Sequence, residues 1–350
     1  MQPKKKAITA AITGSALGVA GLAWLAVPAS AGEAPQLPPI SAEDLVSSVL
    51  STKTPALDGT VKVDNNLGLP TGALPGGANL NIDSAHVYND GAGDSKVAIE
   101  QGTSDTTIVR QGNTTWTYAS KDNTATKVTV PDHVATGMPP EGVSSDPSAA
   151  ATQLLAKIRE SSTVSVEGTA RVANRAAYEL VLTPKPTERT LLREVRVAVD
   201  AEKRVPLRLA VMTYGTADPA LQIAFSDINF TPQPASEFQF TPPQGAKVTE
   251  RQAQPRQEMN HQDEVTAVGD GWDTVLTGKM TPDATAPQSK GGQNVDPKAL
   301  LQQFGKRVSG PFGSGYVIST KVGTALITDD GRFAAGAVPE QVLIDALGTK

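Results

Sequence analysis

Apolar and polar residues alternate along much of the chain, and this pattern predicts short strands of antiparallel sheet. In "AAYELVLTP" the side chains of Tyr178, Leu180 and Leu182 share one face, because successive side chains of a strand point to opposite sides. The runs "LLREVRVAVD" and "PLRLAVMTY" alternate in the same way, as is typical of a half-buried antiparallel sheet. "VEGTARVANRAAYELVLTPK" is therefore predicted to be a hairpin with its turn at Asn174–Arg175.

Turn residues mark further strands on both sides of this hairpin. "AHVYND" leads to "SKVAIEQG" across "DGAGD", "DTTIVRQG" leads to "TTWTYAS" across Gly112–Asn113, and "NTATKVTV" stops at Pro131. "TVSVEGTARV", "LQIAFSDINF" and "EFQFTPP" have similar strand-like compositions later in the chain. Together these runs predict a meander of antiparallel hairpins.

Four helices are predicted from capping residues and from apolar residues at helical spacing. Ser41 caps "SAEDLVSSVL", and Asp146–Pro147 begins "PSAAATQLLAKIRE". A third helix begins at Asp296–Pro297 and is predicted to hold Lys306–Arg307 in its last turn, where the helix dipole favours cations. "PEQVLIDAL" closes the chain as a short helix.

A polar stretch without periodicity divides the chain. It contains "RQAQPRQEMNHQDE" and predicts a linker at residues 251–264, between a domain of residues 32–250 and one of residues 265–350. The second domain combines "GWDTVLTGKM", the third and fourth helices, and "GYVISTKVGTALITDDGRFAAGAV" with a hairpin turn at Asp330–Gly331. We expect it to be a small α+β domain.

Residues 1–31 have the features of a secretory signal peptide. Lys4–Lys6 precede the apolar run Ala7–Val27, and Ala29 and Ala31 have the A-x-A spacing that signal peptidase requires. We expect cleavage after Ala31 and a protein located outside the cytoplasm, in the cell envelope or secreted. The alternative is an uncleaved N-terminal membrane anchor, because about 20 apolar residues can span a bilayer.

Charge and cysteine content narrow the choice of partners. Residues 1–31 contain three lysines and no acidic residue, so the chain without them has 28 basic and 36 acidic residues and a net charge of −8. This charge disfavours nucleic acids and anionic lipid surfaces. The chain has no cysteine, so it folds without disulfides and is not anchored through a lipidated cysteine.

The usual short patterns of catalytic and metal sites do not occur. His86, His133 and His261 are far apart in the sequence, so no paired-histidine zinc motif is present. The run around Ser314 has Phe312 where the G-x-S-x-G pattern needs glycine. "DDGR", which begins with Asp329 and Asp330, is predicted to be a hairpin turn and not a metal site. We predict no enzyme activity, no metal and no cofactor; a hydrolase with an unplaced serine is the least favoured hypothesis.

The ordered set of these elements resembles the outer-membrane lipoprotein carrier (LolA-like) superfamily, in its exported actinobacterial members. The resemblance covers about residues 38–250 and rests on "SAEDLVSSV", "LDGTVKV", "VEGTARVANRAAYELVLTP", "VRVAVDAEKRVPLRLAV" and "EFQFTPPQGAKVTE". It implies an α+β fold: a strongly curved, incompletely closed antiparallel β half-barrel with helices on its concave side, plus a small C-terminal α+β domain. The two-domain plan is similar to that of RseB-type regulators of envelope stress.

The resemblance implies a cavity that holds lipid or lipoprotein acyl chains. Inward-facing apolar residues form either this cavity or an ordinary core, and the sequence leaves both readings open. The candidates are Val97, Ile99, Trp116, Tyr118, Tyr178, Leu180, Leu182, Val197, Leu209, Ile223 and Phe225. For residues 265–350, the similarity to RseB implies an envelope membrane protein, an anti-sigma factor, as an alternative partner.

A long loop rich in glycine, proline and asparagine, Asp64–Asp83, carries an unusual number of leucines. One interpretation is a loop packed on its own domain. The other is a flap over the apolar cavity. The flap candidates are Leu67, Leu69, Leu74 and Leu80.

Overall fold

The computed structural model describes most of the chain outside the N-terminus. The described residues are 34–68, 82–131, 147–252, 265–280, 288–290, 293–295 and 297–348. Leu69, Leu74, Leu80, His133 and His261, and the predicted signal peptide, lie outside them.

Twelve strands form one large sheet, in the spatial order β12-β6-β5-β4-β3-β2-β1-β11-β10-β9-β8-β7. All neighbouring pairs are antiparallel except β12 and β6, which run parallel. The strands are β1 (Leu57–Asn65), β2 (Ser84–Asn89), β3 (Ser95–Gln101), β4 (Ser104–Gln111), β5 (Thr114–Ala119), β6 (Thr124–Thr129), β7 (Ser162–Val172), β8 (Arg175–Pro184), β9 (Leu192–Asp200), β10 (Pro206–Thr213), β11 (Leu221–Asn229) and β12 (Lys247–Gln252).

The large sheet is strongly curved. Strand β7 lies at one edge, yet it contacts β11, four positions away in the strand order. Buried side chains meet across this curve: Val172 of β7 belongs to the same apolar cluster as Leu57 of β1 and Ile228 of β11. The edges β7 and β12 do not pair with each other. The predicted unclosed half-barrel is therefore confirmed.

Two helices accompany the large sheet: α1 (Ala42–Ser51) and α2 (Pro147–Ser161). As predicted, Ser41 caps α1, and its Oγ accepts a hydrogen bond from the backbone N–H of Asp44 at 3.0 Å. Leu45 of α1 and Leu155 of α2 are fully buried against strands β7 to β9. Within the described residues, these two helices therefore cover one end of the sheet and leave most of it uncovered by helix.

The turn of the β7–β8 hairpin lies one residue earlier than predicted. Ala173 and Asn174 form it, with φ of 48° and 62°, and Arg175 already pairs with Val172 in the ladder. Two-residue hairpin turns of type I′ require positive φ at both central residues, because their twist then matches that of the strands. Alanine is an unusual residue for such a conformation, which is why the sequence favoured the pair Asn174–Arg175.

The prediction of a strand at "EFQFTPP" was wrong. Ala235–Phe238 is a 3₁₀ helix, and the buried Phe238 packs this segment against the sheet. Strand β12 follows it and overlaps the start of the predicted linker. The strand forms by pairing with β6, which lies far away in the sequence. Local alternation cannot reveal such a partner.

The second domain is a six-stranded sheet in the order β13-β14-β20-β19-β18-β17. Its helix α4 (Glu340–Gly348) packs Val342 and Leu343 on the buried residues Val275 and Leu326. The strands of this domain are β13 (Thr266–Val268), β14 (Val275–Lys279), β17 (Lys306–Gly310), β18 (Gly313–Ser319), β19 (Thr324–Thr328) and β20 (Arg332–Gly336), and β15 (Gln288–Lys290) and β16 (Gln293–Val295) form a separate hairpin.

The third helix, α3 (Pro297–Phe304), is shorter than predicted. Lys306 and Arg307 are residues of β17, not of the last helical turn. Gly305 separates the two elements, and its backbone lies close to Leu301 and to the ring of Tyr316. The predicted Asp330–Gly331 turn does connect β19 and β20.

Candidate functional site

One row of apolar side chains crosses six strands of the large sheet. Leu180 lies opposite Val166 and Val197. Val197 lies opposite Leu209, Leu209 opposite Ile223, and Ile223 opposite Val63. Directly opposed residues of antiparallel strands share a face, and neighbouring strands lie about 4.8 Å apart, so the row is about 24 Å long.

In the part of the chain that the structure describes, helices cover only the first half of this row. Leu155 and Ile158 of α2 pack against Val166 and Leu180. On the same face, Leu45 packs against the next pair, Tyr178 and Val199. Tyr178 is 6% exposed and donates a hydrogen bond from its hydroxyl to the carbonyl oxygen of Pro38 at 3.0 Å. Tyr178 therefore belongs to the core and not to a pocket.

The second half of the row is open. Leu209 is 37% exposed and Ile223 is 38% exposed, although both lie in the middle of a sheet. Val63 is partly exposed. No apolar cluster among the described residues includes any of these three. We call this half of the row the apolar groove.

The same face continues across β1 toward β4, but there it is packed: Phe225 contacts a buried apolar cluster that includes Leu57 and Ile228, and Ala85 is 9% exposed. Phe225 lies opposite Val61, which lies opposite Ala85, and Ala85 lies opposite Ile99. Val97 is two residues before Ile99 and so shares its face. The ring of Phe225 lies over Gly59, where a Cβ atom would come within 3.0 Å of it, so glycine is needed for this close approach.

The structure brings nine of the eleven predicted cavity residues to this one face and separates two from it. Trp116 pairs with Val109, and Tyr118 pairs with Thr107, so both point to the opposite side from Val97 and Ile99. There they contact Phe240, with ring centroids 5.5 Å and 6.1 Å away. Of the predicted flap residues, Leu67 is 5% exposed and therefore packed.

The opposite face of β8 to β10 carries a charged network that the sequence analysis did not identify. Glu179 is buried and accepts a hydrogen bond from Arg208, and Arg196 lies 3.6 Å from it. A hydrogen bond from Arg196 lowers the pKa of Glu194, although burial acts in the other direction. In the sequence, the signal for this network was the alternation of arginine with valine in "REVRVAV". These charged groups pair with one another and face away from the groove, so they do not line the apolar surface.

A cavity of about 500 Å³ adjoins the far end of the row. Val63 and Ile82 contribute to it, but Asp64, Asp83 and Asp218 also line it. Three carboxylates in a small space favour water over an acyl chain. The cavity is therefore separate in character from the groove.

The described residues do not form an arrangement typical of a catalytic or metal site. They include no group of three or more His, Cys, Asp or Glu side chains placed to hold a metal ion. His86 contacts the hydroxyl of Thr60 at 3.3 Å, and Ser314 contacts the hydroxyl of Ser309 at 3.0 Å. Asp329 pairs with Arg307. Within the same part of the chain, no helix is long and apolar enough to cross a bilayer.

Comparisons with solved structures find several matches at low sequence identity. The complex of MucA and MucB from Pseudomonas aeruginosa matches with 14% identity and a TM-score of 0.46, over 87% of this chain and 96% of that chain. The Mycobacterium tuberculosis lipoprotein LppX matches with 13% identity and a TM-score of 0.31, over 54% and 96%. A LolA superfamily protein from Nitrosomonas europaea matches with 13% identity and a TM-score of 0.24, over 58% and 99%.

The sequence matches no curated protein. A family model does match it: the MucB/RseB N-terminal domain, at residues 81–262. This match spans just over half of the chain and includes strands β2 to β12. The predicted resemblance to RseB-type proteins is confirmed. The chain belongs to the MucB/RseB family.

Proposed function

We propose that this protein is exported and binds an acyl chain of a lipid or lipoprotein in the apolar groove, as a carrier or chaperone in the cell envelope. The observation that carries the proposal is the exposure of Leu209 and Ile223 in the middle of a twelve-stranded sheet. Central strands of a large sheet are normally covered on at least one face, and their opposite face here carries the charged network. An apolar ligand would cover the groove.

The energetics of transfer favour such a ligand. Each CH₂ group moved from water to an apolar surface contributes about 0.8 kcal/mol, so no specific polar contact is needed for binding. Val63, Leu209 and Ile223 are apolar, so an acyl chain that lies over them does not have to displace water from a charged group. A binding role, without catalysis, is therefore the function that this arrangement suits.

The direct test uses the exported protein and fluorescent fatty-acyl probes of increasing chain length. We expect saturable binding, with the affinity rising about fourfold for each added CH₂ until the groove is filled. Organic extraction and mass spectrometry of the purified protein should identify a co-purified lipid. Absence of both saturable binding and bound lipid would reject the proposal.

The double variant L209Q/I223Q should bind the probe about tenfold more weakly than the wild type. Glutamine has a similar size but presents a polar amide to the acyl chain, which weakens binding. Leu209 and Ile223 are already partly exposed to solvent, so the fold should tolerate the change. Fluorescence titration measures the affinity, and thermal unfolding checks the fold. V248Q changes a residue of β12 that is 48% exposed, more than Leu209 or Ile223, and is the control. Equal affinities for the two variants would contradict the groove assignment.

Membership of the MucB/RseB family supports a second candidate, a regulator that senses lipid and binds an anti-sigma factor through residues 265–350. The presence of a second domain favours it, since a minimal carrier needs none. The test mixes the full chain with the extracytoplasmic part of a membrane-anchored anti-sigma factor from the same organism. Crosslinks from the exposed Lys279, Lys306 and Lys321 would support a regulator. Recovery of lipoproteins without any such crosslink would favour the carrier.

A further inference from the structure

The second domain contacts the first domain at the elements that border the helix-covered half of the apolar row. Trp272, just before β14, donates a hydrogen bond from its Nε1 to the Oγ of Ser162 at 2.6 Å. Ser162 is the first residue of β7, is 3% exposed, and directly follows the last residue of α2. The indole of Trp272 is therefore hydrogen-bonded to the junction between α2 and the large sheet.

A short loop reinforces this contact. The docking loop, residues 185–191, connects β8 to β9. Its Glu188 carboxylate accepts hydrogen bonds from the backbone N–H groups of Trp272 at 2.7 Å and Asp273 at 3.4 Å. A Cβ atom at Gly271 would lie 2.3 Å from the Oε2 of Glu188, so only glycine permits this approach.

The docking loop is bonded to both domains. The backbone N–H of Leu191 and the hydroxyl of Thr190 both donate to the carbonyl oxygen of Ala337, at 2.8 Å and 2.7 Å. At its other end, the backbone N–H of Lys185 donates to the carbonyl oxygen of Ser161, and its Nζ donates to that of Glu160, each at 2.9 Å. The C-terminal turn of α2 is thus linked to the second domain through residues 185–191.

A third contact lies at the other side of the groove. The backbone N–H of Lys321, in the β18–β19 turn, donates to the carbonyl oxygen of Leu67 at 3.1 Å. Leu67 follows the end of β1, which carries Val63. The second domain therefore holds the chain at both ends of the row that begins under α2 and finishes at Val63.

We propose that the second domain senses how much of the apolar row a ligand occupies, through the hydrogen bond between Trp272 and Ser162. The proposal rests on the binding function above. The open stretch from Leu209 to Val63 spans two strand spacings, or about 10 Å. A short acyl chain fits there. A long chain reaches Val197 only if α1 moves away from it, and it reaches Leu180 only if α2 moves as well. Movement of α2 pulls Ser162 away from Trp272.

Two sites coupled in this way obey reciprocity. Weakening the contact between Trp272 and Ser162 must therefore also change the affinity for the ligand. S162A removes the acceptor for the Trp272 indole and should raise the affinity for a palmitoyl probe about 2- to 10-fold, since one hydrogen bond no longer holds the closed arrangement. The affinity for an octanoyl probe should stay unchanged. S165A, on the same strand but without contact to the second domain, is the matched control.

Trp272 itself supplies an independent readout. The chain has three tryptophans, and the W24F/W116F variant retains Trp272 alone, whether or not residues 1–31 are removed. Palmitate should shift its emission to longer wavelength, because the indole loses Ser162 and gains water. Octanoate should leave the emission unchanged.

The outcomes separate this proposal from the binding function. If palmitate displaces a bound probe, but the Trp272 emission stays constant and S162A binds palmitate like S165A, the coupling is rejected and the binding function stands. If no acyl probe binds to the wild type, the binding function is rejected first. A shift in emission with palmitate alone, together with tighter binding by S162A, supports the coupling.

Discussion

Replacing Asp200 with alanine is expected to lower the free energy of unfolding by about 3 kcal/mol. Asp200 is completely buried and pairs with Arg175, whose Nη2 donates to Oδ1 at 3.1 Å. The same Oδ1 accepts the backbone N–H groups of Glu202 at 2.9 Å and Lys203 at 2.6 Å. Alanine leaves these donors without an acceptor at the β9–β10 turn. Equilibrium unfolding in urea measures the change.

The loss should depend on pH in a defined direction. Burial alone would raise the pKa of Asp200, but the hydrogen bonds from Arg175, Lys203 and Glu202 outweigh burial and hold the pKa below its usual range. A carboxyl group with a lowered pKa stabilises the fold fully above its unfolded pKa of about 4, and this contribution disappears as the pH falls through the folded value. The difference between wild type and D200A should therefore shrink at about pH 3.

D227A provides the control, because Asp227 is exposed on β11 and its loss should change stability by less than about 0.5 kcal/mol. A D200A protein as stable as D227A would show that the turn around Asp200 contributes nothing. Equal differences from the wild type at neutral and acidic pH would contradict the charged role of the side chain.

The second large effect is expected at Leu45. L45A should cost about 3 kcal/mol, because Leu45 is completely buried between α1 and the residues Tyr178 and Val199, and alanine leaves a cavity there. L50A changes a leucine of the same helix that is 47% exposed and should cost less than about 0.5 kcal/mol. Unfolding midpoints for both variants measure the contrast; equal midpoints would mean that α1 does not hold the sheet.

Much of the fold could be predicted because strand pattern and turn chemistry are local. The alternation around Tyr178 and Val197 depends only on neighbouring residues, and so do the Ser41 cap and the Asp330–Gly331 turn. The same rule assigned the faces of individual strands correctly. It could not relate the face of one strand to that of a distant strand, which is why Trp116 and Tyr118 were grouped with residues on the other side.

The remaining errors have tertiary causes. Strand β12 exists through a parallel pairing with β6 that spans more than 100 residues. "EFQFTPP" alternates like a strand but follows the prolines Pro232 and Pro234 and forms a 3₁₀ turn that buries Phe238. The split of the apolar row into a covered and an open half depends on where α1 and α2 pack, and no single strand encodes that position.

The position of Lys306 and Arg307 on β17 has a consequence for aggregation. This strand is one edge of the second sheet, and edge strands expose backbone groups on which a foreign chain can add as a further strand. Lysine and arginine side chains at an edge disfavour such addition, because the added chain would bury or crowd their charges. The opposite edge, β13, has no charged residue but is only three residues long. The second domain is therefore protected against aggregation by charge at one edge and by shortness at the other.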